Sequence, residues 1–588
     1  KCGDAGSDPC DADDYCDGLG KSCPDLVEPN TFMCRASTGD CDVDDYCDGV
    51  GKVCMDEFEP EFTPCDTGLD PCLSGDECDA FGVCQEGSDP KDDDNDGDVD
   101  DACGGTDCDD DDPDVAGIFT EGPVCDGSCY DGKDNNCVDG IDASDPGCQA
   151  ANFICVDGPG SPVNVGNTGT ITVRLDSSGE DENAIVCYTD DSRLLGPEAT
   201  LLSNDFETDM SGFTTDSGVD VIRSNASQSP FTSGTGSWGV QICQTHWLMT
   251  NAIDTTGRAR IQLRYAATAS GGLDANEYYI TEYTVDGINW YVLDLQGDNY
   301  RENWQWFTHI LPPACEGQSS LQIRWRVNPS SWTDDCAYLD DVEILDLPDP
   351  TVSWTVLTNH FEASEGNSTA DTCANIAGWT LIEFTSQGNN NNEICLRTAA
   401  QNPATQDGSN LQGLSVENND PSWILDPDVD TQYVPSGSDL VAEFYMLDDG
   451  LPNSGYANAW YSPDGGTTWF RMNGVGADMA ETYDWFRFVL EPAAIGVANV
   501  QIEFMIPTNA DANSNQGFYL DDYDLVWYRA SHDVIGAFTD QGDGTYTADI
   551  SSDQVGTANV TCIYYGTSPP IMTDGTGDNS GSAPVEFQ

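Results

Sequence analysis

Twelve cysteines recur in a fixed frame over the first 84 residues, and no other feature limits the fold so tightly. Cys2, Cys10, Cys16 and Cys23 return as Cys34, Cys41, Cys47 and Cys54, and again as Cys65, Cys72, Cys78 and Cys84. Each cysteine reappears after nearly the same interval, so the segment is three copies of one unit. Two copies share the wording "CDADDYCDGLGKSCPD" and "CDVDDYCDGVGKVCMD", and the third, "CLSGDECDAFGVC", is degenerate. Hardly an apolar residue is available for burial, so disulfides must hold each unit. The period predicts bridges inside each unit. With four cysteines per unit, three connectivities are open.

The whole chain has 26 cysteines among 588 residues, and 18 of them precede residue 149. Such density predicts an oxidising, extracellular or cell-surface setting. Acidic residues outnumber basic ones 106 to 19, a net charge of -87. A polyanion of this size repels nucleic acid and anionic lipid, so neither is an expected partner. It also repels itself unless cations sit among its carboxylates. No window approaches the roughly 20 apolar residues of a membrane span, so direct membrane insertion is not expected. The chain opens on Lys1 with no signal peptide, which reads as a processed or truncated N-terminus.

The repeats resemble the disintegrin-like repeats found beside some metalloproteases, in the cysteine frame and the Asp-Asp-Tyr-Cys-Asp-Gly core. The integrin-binding loop of true disintegrins has no counterpart here, so integrin binding does not carry over. Residues 1–88 are therefore read as three disulfide-rich repeats.

Residues 89–148 form an acidic segment, opening "DPKDDDNDGDVDDACGGTDCDDDDPDV" with 14 acidic residues between Asp89 and Asp114. Asp92, Asp94 and Asp96 alternate, Gly97 follows, and Asp100 and Asp101 close the run. Alternating carboxylates around a Gly-permitted turn can wrap oxygens round one hard cation, which predicts calcium. The bland alternative is a solvated acidic linker. The continuation through "CDGSCYDGKDNNCVDGID" resembles the metal-binding repeat common in bacterial surface proteins, apart from the inserted 128–133 stretch. That resemblance adds Asp107, Asp109, Asp111, Asp134, Asp139 and Asp142 as ligand candidates. One relative of the repeat is linked to copper, but oxygen-only ligands and oxidised cysteines favour calcium.

From about residue 200 the chain turns aromatic, Gly/Asn/Thr-rich and cysteine-poor, as antiparallel β-sandwiches are. Residues 200–347 carry "NDFET", "YTVDGINWYVL", "WQWFTHIL", "LQIRWRV" and "CAYLDDVEIL" in order; residues 354–530 carry "NHFEA", "YSPDGGTTWFRM", "YDWFRFVL", "VQIEFMI" and "FYLDDYDLVW". The later landmarks keep a near-constant offset, from Asp286 to Asp464, Trp306 to Trp485 and Tyr338 to Tyr519, the mark of a tandem duplication. Both copies resemble jelly rolls of the MAM and carbohydrate-binding type. In those modules a structural calcium commonly sits where the opening Phe-Glu strand meets the closing Leu-Asp-Asp strand. The resemblance assigns it to Glu207 with Asp340 and Asp341, and to Glu362 with Asp521 and Asp522. Alternation puts Asp340, Val342 and Ile344 on one side of the last strand, and Leu339, Asp341 and Glu343 on the other. The competing reading has these carboxylates capping backbone amides.

What remains is two half-domains. "DQGDGTYTADISSDQVGTANVTCIYYG" alternates apolar and polar residues like the back of a sandwich, and resembles an immunoglobulin-like domain of the invasin or filamin kind. The front half lies in "SPVNVGNTGTITVRLDSSGEDENAIVCYTD". Residues 155–193 and 532–588 together approach the roughly 100 residues of such a domain. The expected architecture is therefore mostly β: disulfide-rich repeats, then an Ig-like sandwich interrupted by two tandem jelly rolls. Strand sharing between neighbouring chains is the alternative. Cysteine parity, three in the split domain (Cys155, Cys187, Cys562) and three in the first jelly roll (Cys243, Cys315, Cys336), leaves one bridge between them or two free thiols. In the second jelly roll Cys373 and Cys395 form the natural pair.

The four histidines (His246, His309, His360, His532) are scattered, and no catalytic motif appears, so no enzyme is expected. Trp247, Trp290, Trp304, Trp306, Trp332, Trp423, Trp460, Trp469 and Trp485 could stack on sugars, but sandwich cores explain most of them. Three sequons, at Asn225, Asn367 and Asn559, are weak signals. The expected function is an extracellular, calcium-binding structural or adhesive protein, the subunit of a surface fibre or layer. Its partners would be its own copies or a cell-surface or glycan ligand. The alternative is a secreted carbohydrate-binding protein.

Overall fold

A computed structural model describes residues 1–3, 6–16, 18, 23–68, 72–87, 89–109, 111–119, 133–138, 141, 154–175, 180–225, 237–268, 277–296, 304–328, 336–359, 380–383, 393–398, 412–417, 422–425, 428–449, 456–476, 484–506, 517–542, 544–567, 570–572 and 583–588. The described residues fall into two compact units that divide at Cys155 and Val156.

The first unit is built from turns and strands of two or three residues, such as Met33–Arg35 paired with Asp45–Tyr46. Each repeat closes one bridge on itself: Cys2–Cys23, Cys34–Cys54 and Cys65–Cys84. The other bridges correct the expectation of purely internal pairing. Cys10 joins Cys47, Cys41 joins Cys78, and Cys72 joins Cys103 in the acidic segment. The backbone explains why. After its fourth cysteine the chain folds back over its second, with Glu28 N donating to Cys10 O and Glu59 N to Cys41 O, at 3.0 Å in both. The next repeat therefore starts there and delivers its third cysteine to that thiol. Among the described residues 1–88 the only buried apolar side chains are Cys10, Cys41, Cys47 and Cys78. The crossing bridges are the core.

In the second unit the two half-domains pair within one chain. The Thr168–Leu175 strand runs antiparallel to Thr545–Ser552, placing Ile171 opposite Ala548 and Val173 opposite Tyr546. Ile185–Thr189 pairs with Gly556–Tyr564, and a disulfide joins Cys187 to Cys562 across 375 positions. Ile171, Val173, Tyr546, Val560 and Cys562 are fully buried. Sharing strands between chains is unnecessary, because each half covers the other's apolar face. Cys155 is disulfide-bonded and Cys315 is a buried free thiol, so parity is not resolved by a bridge between these two. The first jelly roll bonds Cys243 to Cys336.

The insertion leaves and rejoins at one point. His532 N donates to Arg193 O at 2.9 Å, and Leu194 pairs with Ser531. Arg193 is 3 % exposed and lies against Asp533 with two hydrogen bonds, Nε to Oδ2 at 3.0 Å and Nη2 to Oδ1 at 2.8 Å. The same guanidinium donates to Ser552 Oγ, Gln554 O and Val555 O.

Each jelly roll contributes a five-stranded sheet of its own, and their other sheets join into one of twelve strands. The joint is made by equivalent strands of the two copies, Gln305–Ile310 and Asp484–Val489, which meet antiparallel with His309 opposite Phe488. One hydrophobic cluster runs from Phe206 and Trp325 in the first copy to Phe504 and Trp527 in the second. The seam also carries charge: Arg471 lies 3.6 Å from Asp294, both essentially buried.

Replacing Arg193 by Ala strands the Asp533 carboxylate. Such a loss costs about 3–5 kcal/mol. Equilibrium urea unfolding should show that drop for Arg193→Ala, and a smaller one for the double variant Arg193→Met with Asp533→Leu.

Candidate metal centres

The acidic segment folds back on itself. Carboxylate oxygens of Asp92, Asp94 and Asp96 all lie within 4.8 Å of one another. The turn that gathers them needs left-handed backbone at Asn95 (φ 64°) and at Gly97 (φ 102°), and a glycine takes the second without strain. Asp92 Oδ1 and Asp94 Oδ1 both accept from Asp96 N at 3.1 Å, and Asp92 Oδ2 accepts from Gly97 N at 3.2 Å. Asp96 Oδ1 accepts from Asp98 N at 2.8 Å, while its Oδ2 is buried with no hydrogen-bond partner among the described residues. A buried carboxylate oxygen without a proton donor is met by a cation or by an ordered water. Three carboxylates around one point, all hard oxygen donors, fit calcium.

The other candidates of this segment are placed differently. Asp100 caps the Asp101–Cys103 turn by accepting from Ala102 N at 2.9 Å, and it pairs with Lys91 at 3.2 Å. Those two contacts, the amide first, hold its carboxyl below the usual range. Asp101, Asp109 and Asp111 are exposed. Asp107 is buried and accepts from Asp109 N at 2.9 Å; Asp134 accepts from Val138 N at 3.1 Å. The Cys108–Cys137 bridge ties the two stretches together. Asp139 and Asp142 lie outside the described residues. The scarce lysines act as fixed counter-ions, which sequence reading missed: Lys133 sits 2.8 Å from Asp112 and 3.1 Å from Asp114, and Lys52 2.6 Å from Asp11.

At the jelly-roll edges both copies show one geometry. Asp341 and Asp522 have φ of 47° and 46°, costly for a residue with a Cβ. The facing strands are irregular at the same place, Arg264/Ala266 and Glu443/Tyr445. This bulge corrects the expected alternation: Leu339, Val342 and Ile344 all join the core cluster. Asp340 and Asp521 are buried, and each accepts from the next residue's amide, at 2.9 and 3.1 Å. Each pair sits where one neighbouring strand ends and another begins: Asn204 pairs Val342 while Val240 pairs Leu339, and Tyr523 pairs Asn359 while Leu520 pairs Leu414. Glu207 Oε1 accepts from Ser237 N at 2.6 Å and Trp238 N at 2.8 Å, so that oxygen caps a strand start. Glu362 and Cys373 lie outside the described residues, as does the Cys395 side chain.

Four of the nine sugar-stacking candidates are covered. Arg324 lies over Trp290, Arg264 over Trp306 and Arg487 over Trp485; Trp460 is buried. Among the histidines, His309 is buried neutral, its pKa pushed down to about 3 by desolvation, and His246 lies between Asp216 and Asp220. An aromatic site escaped the sequence reading. Trp354, Tyr433 and Tyr565 line a cavity of about 410 Å³ with Asp428 and Asp430, and Trp354 stacks on Tyr565 at 4.5 Å. Its walls come from segments far apart in the chain, a proximity no local pattern shows.

No family model matches the chain, and no curated protein matches it. Solved structures with some likeness include the CBM22-1–CBM22-2 tandem of Paenibacillus barcinonensis Xyn10C, at 12 % identity and TM-score 0.20, covering 57 % of this chain and 99 % of that one. The K3 cleaved adhesin domain of Lys-gingipain from Porphyromonas gingivalis is 16 % identical with TM-score 0.18, covering 25 % and 99 %. TmCBM61, solved with β-1,4-galactotriose, is 12 % identical with TM-score 0.18, covering 23 % and 88 %. Likeness this distant carries nothing about function.

Asp96→Asn keeps the turn and removes charge from the gathered oxygens. Calorimetric titration should show calcium affinity at this loop falling by about tenfold or more, whereas Asp111→Asn should leave it unchanged. Equal, small effects of both would mean a diffuse acidic surface.

Proposed function

We propose that this is an extracellular, calcium-binding structural or adhesive protein, the non-catalytic subunit of a surface fibre or layer. One observation carries the reading, the overlapping ladder of bridges Cys10–Cys47, Cys41–Cys78 and Cys72–Cys103. Tension applied between residues 10 and 103 travels through three disulfides and only the two short stretches 41–47 and 72–78. At about 3.5 Å per residue that path reaches about 60 Å, against about 300 Å for the same chain without bridges. A binding module or soluble metal store has no use for such inextensibility; a load-bearing stalk does. The ladder ends in the acidic loop, where calcium would relieve the repulsion among carboxylates. No helix among the described residues is long and apolar enough to cross a membrane, and the bridges themselves need an oxidising compartment.

A second reading has its own observation. The aromatic cavity at Trp354, Tyr433 and Tyr565, rimmed by Asp428 and Asp430, has the apolar faces and polar edges that a sugar ring needs. It supports carbohydrate binding by the second unit.

Electron microscopy separates the readings. Purified protein should assemble into filaments or sheets with calcium and disperse with a chelator. Monomers under both conditions, with a hit on a glycan array lost in Trp354→Ala, would favour the carbohydrate-binding protein. The ladder itself is tested by single-molecule pulling between residues 10 and 103. Extension should stop at the short bridged length when oxidised and lengthen several-fold with reductant.

A further inference from the structure

Trp354 lines a second cavity besides the aromatic one. It holds about 420 Å³ and is bordered by Asn183, Thr351, Ser353 and Phe538. The two cavities follow the opening strand of the second jelly roll, Val352–Asn359, one beside residues 350–354 and the other beside residues 354–357. Trp354 is half-buried, with Tyr565 stacked on it, and Tyr565 is itself held in place. Its hydroxyl accepts from Trp527 Nε1 and donates to Tyr433 O, each at 3.2 Å. Asp428 Oδ1 accepts from Gln501 Nε2 at 2.6 Å, and Asp430 Oδ1 from Gln432 N at 2.9 Å. Each of these exposed carboxylates keeps its second oxygen for a ligand.

The tandem duplication separates scaffold from addition. The two opening strands bulge at the same place, and counting back from Asn204 and Asn359 puts Ala199 where the second copy has Trp354. Thr255 donates to Cys315 O and Gln318 O, and Thr431 to Ala494 O and Val497 O in the same way. That match puts Ala252 at the place of Asp428 and Gly257 at the place of Tyr433. The jelly roll therefore closes without these three side chains, and the second copy gathers all three round one cavity. Asp430 belongs to the scaffold, since Asp254 caps the equivalent turn by accepting from Thr256 N. No Lys, Arg or His lines either cavity among the described residues. An acidic glycan would bring its charges against Asp428 and Asp430 with nothing to pair them, on a chain of net charge -87.

We infer that the two cavities form one groove for an uncharged oligosaccharide, long enough to occupy both with Trp354 at its middle. Its hydroxyls donate to the unused oxygens of Asp428 and Asp430, and the C–H faces of its rings lie against the aromatic walls. The inference rests on the carbohydrate-binding reading of the aromatic cavity and adds the charge and length of the ligand.

Calorimetric titration of the full chain tests it, with di- to hexasaccharides of the cello, xylo, manno and malto series, oligogalacturonides and heparin fragments. One neutral series should bind, with affinity rising by about tenfold or more from disaccharide to hexasaccharide, and the acidic glycans should not. Trp354→Ala and Asp428→Ala install the residues of the first copy. Each should weaken the hexasaccharide by about tenfold or more, and the exposed Asp428→Ala should leave the melting temperature unchanged. Tightest binding of an acidic glycan, equal affinity for disaccharide and hexasaccharide, or binding untouched by both variants would overturn the inference and leave carbohydrate binding standing. Binding of no glycan at all would overturn both.

Discussion

The second unit of this protein depends on one closure. Arg193 and Asp533, 340 positions apart, are brought together in a dry junction where the sandwich opens to admit the jelly rolls and shuts behind them. A buried guanidinium is tolerated only when its donors are met and its charge is paired. Here a carboxylate takes two donors, and Ser552, Gln554 and Val555 take the others. With the junction shut, the strands on either side of the insertion fall into register, and the Cys187–Cys562 bridge locks them. Loop-closure entropy grows only slowly with length, so a large folded insertion adds little to the cost once its own ends meet. Arg529 reinforces the join, reaching from the last jelly-roll strand to Thr189 O and Asp191.

The jelly rolls meet through equivalent strands, and their duplication has diverged where it had to. A strictly repeated sequence would leave the buried Asp294 carboxylate facing a valine. Instead Asp294 of the first copy faces Arg471 of the second, in the place where the first copy has Val292. Burial still drives the Asp294 carboxyl above its ordinary range, with Arg471 pulling it back. The first unit uses opposite physics. It has almost nothing apolar to bury, so covalent rungs replace a core, and the rungs' own sulfurs are what is buried.

Several features were legible in the residues because they are local. The cysteine period, the two sets of jelly-roll landmarks, the alternating strands of the half-domains, and the Asp92, Asp94, Asp96, Gly97 turn each depend on neighbours a few positions apart. Spacing alone constrains which faces they present. The failures are equally specific. Alternation misplaced Leu339 because a left-handed residue at Asp341 inserts a bulge, and aspartate, though it tolerates positive φ better than most residues, adopts it too seldom for the sequence to mark the place. Spacing named Asp100 as a ligand candidate and did not show that it accepts from the Ala102 amide and pairs with Lys91.

Sequence by itself therefore determined the repeats, the duplication, the β class and the halves that needed each other, since all follow from periodicity and from apolar area that must be covered. Only the tertiary structure decided which thiol meets which, that the halves close through Arg193 and Asp533, and that Trp354 and Tyr565 share a cavity. Those are matters of distance between segments far apart in the chain. Disulfide partners are chosen by where the backbone carries each cysteine, and a regular cysteine period is satisfied equally by bridges within a repeat and by bridges to the next.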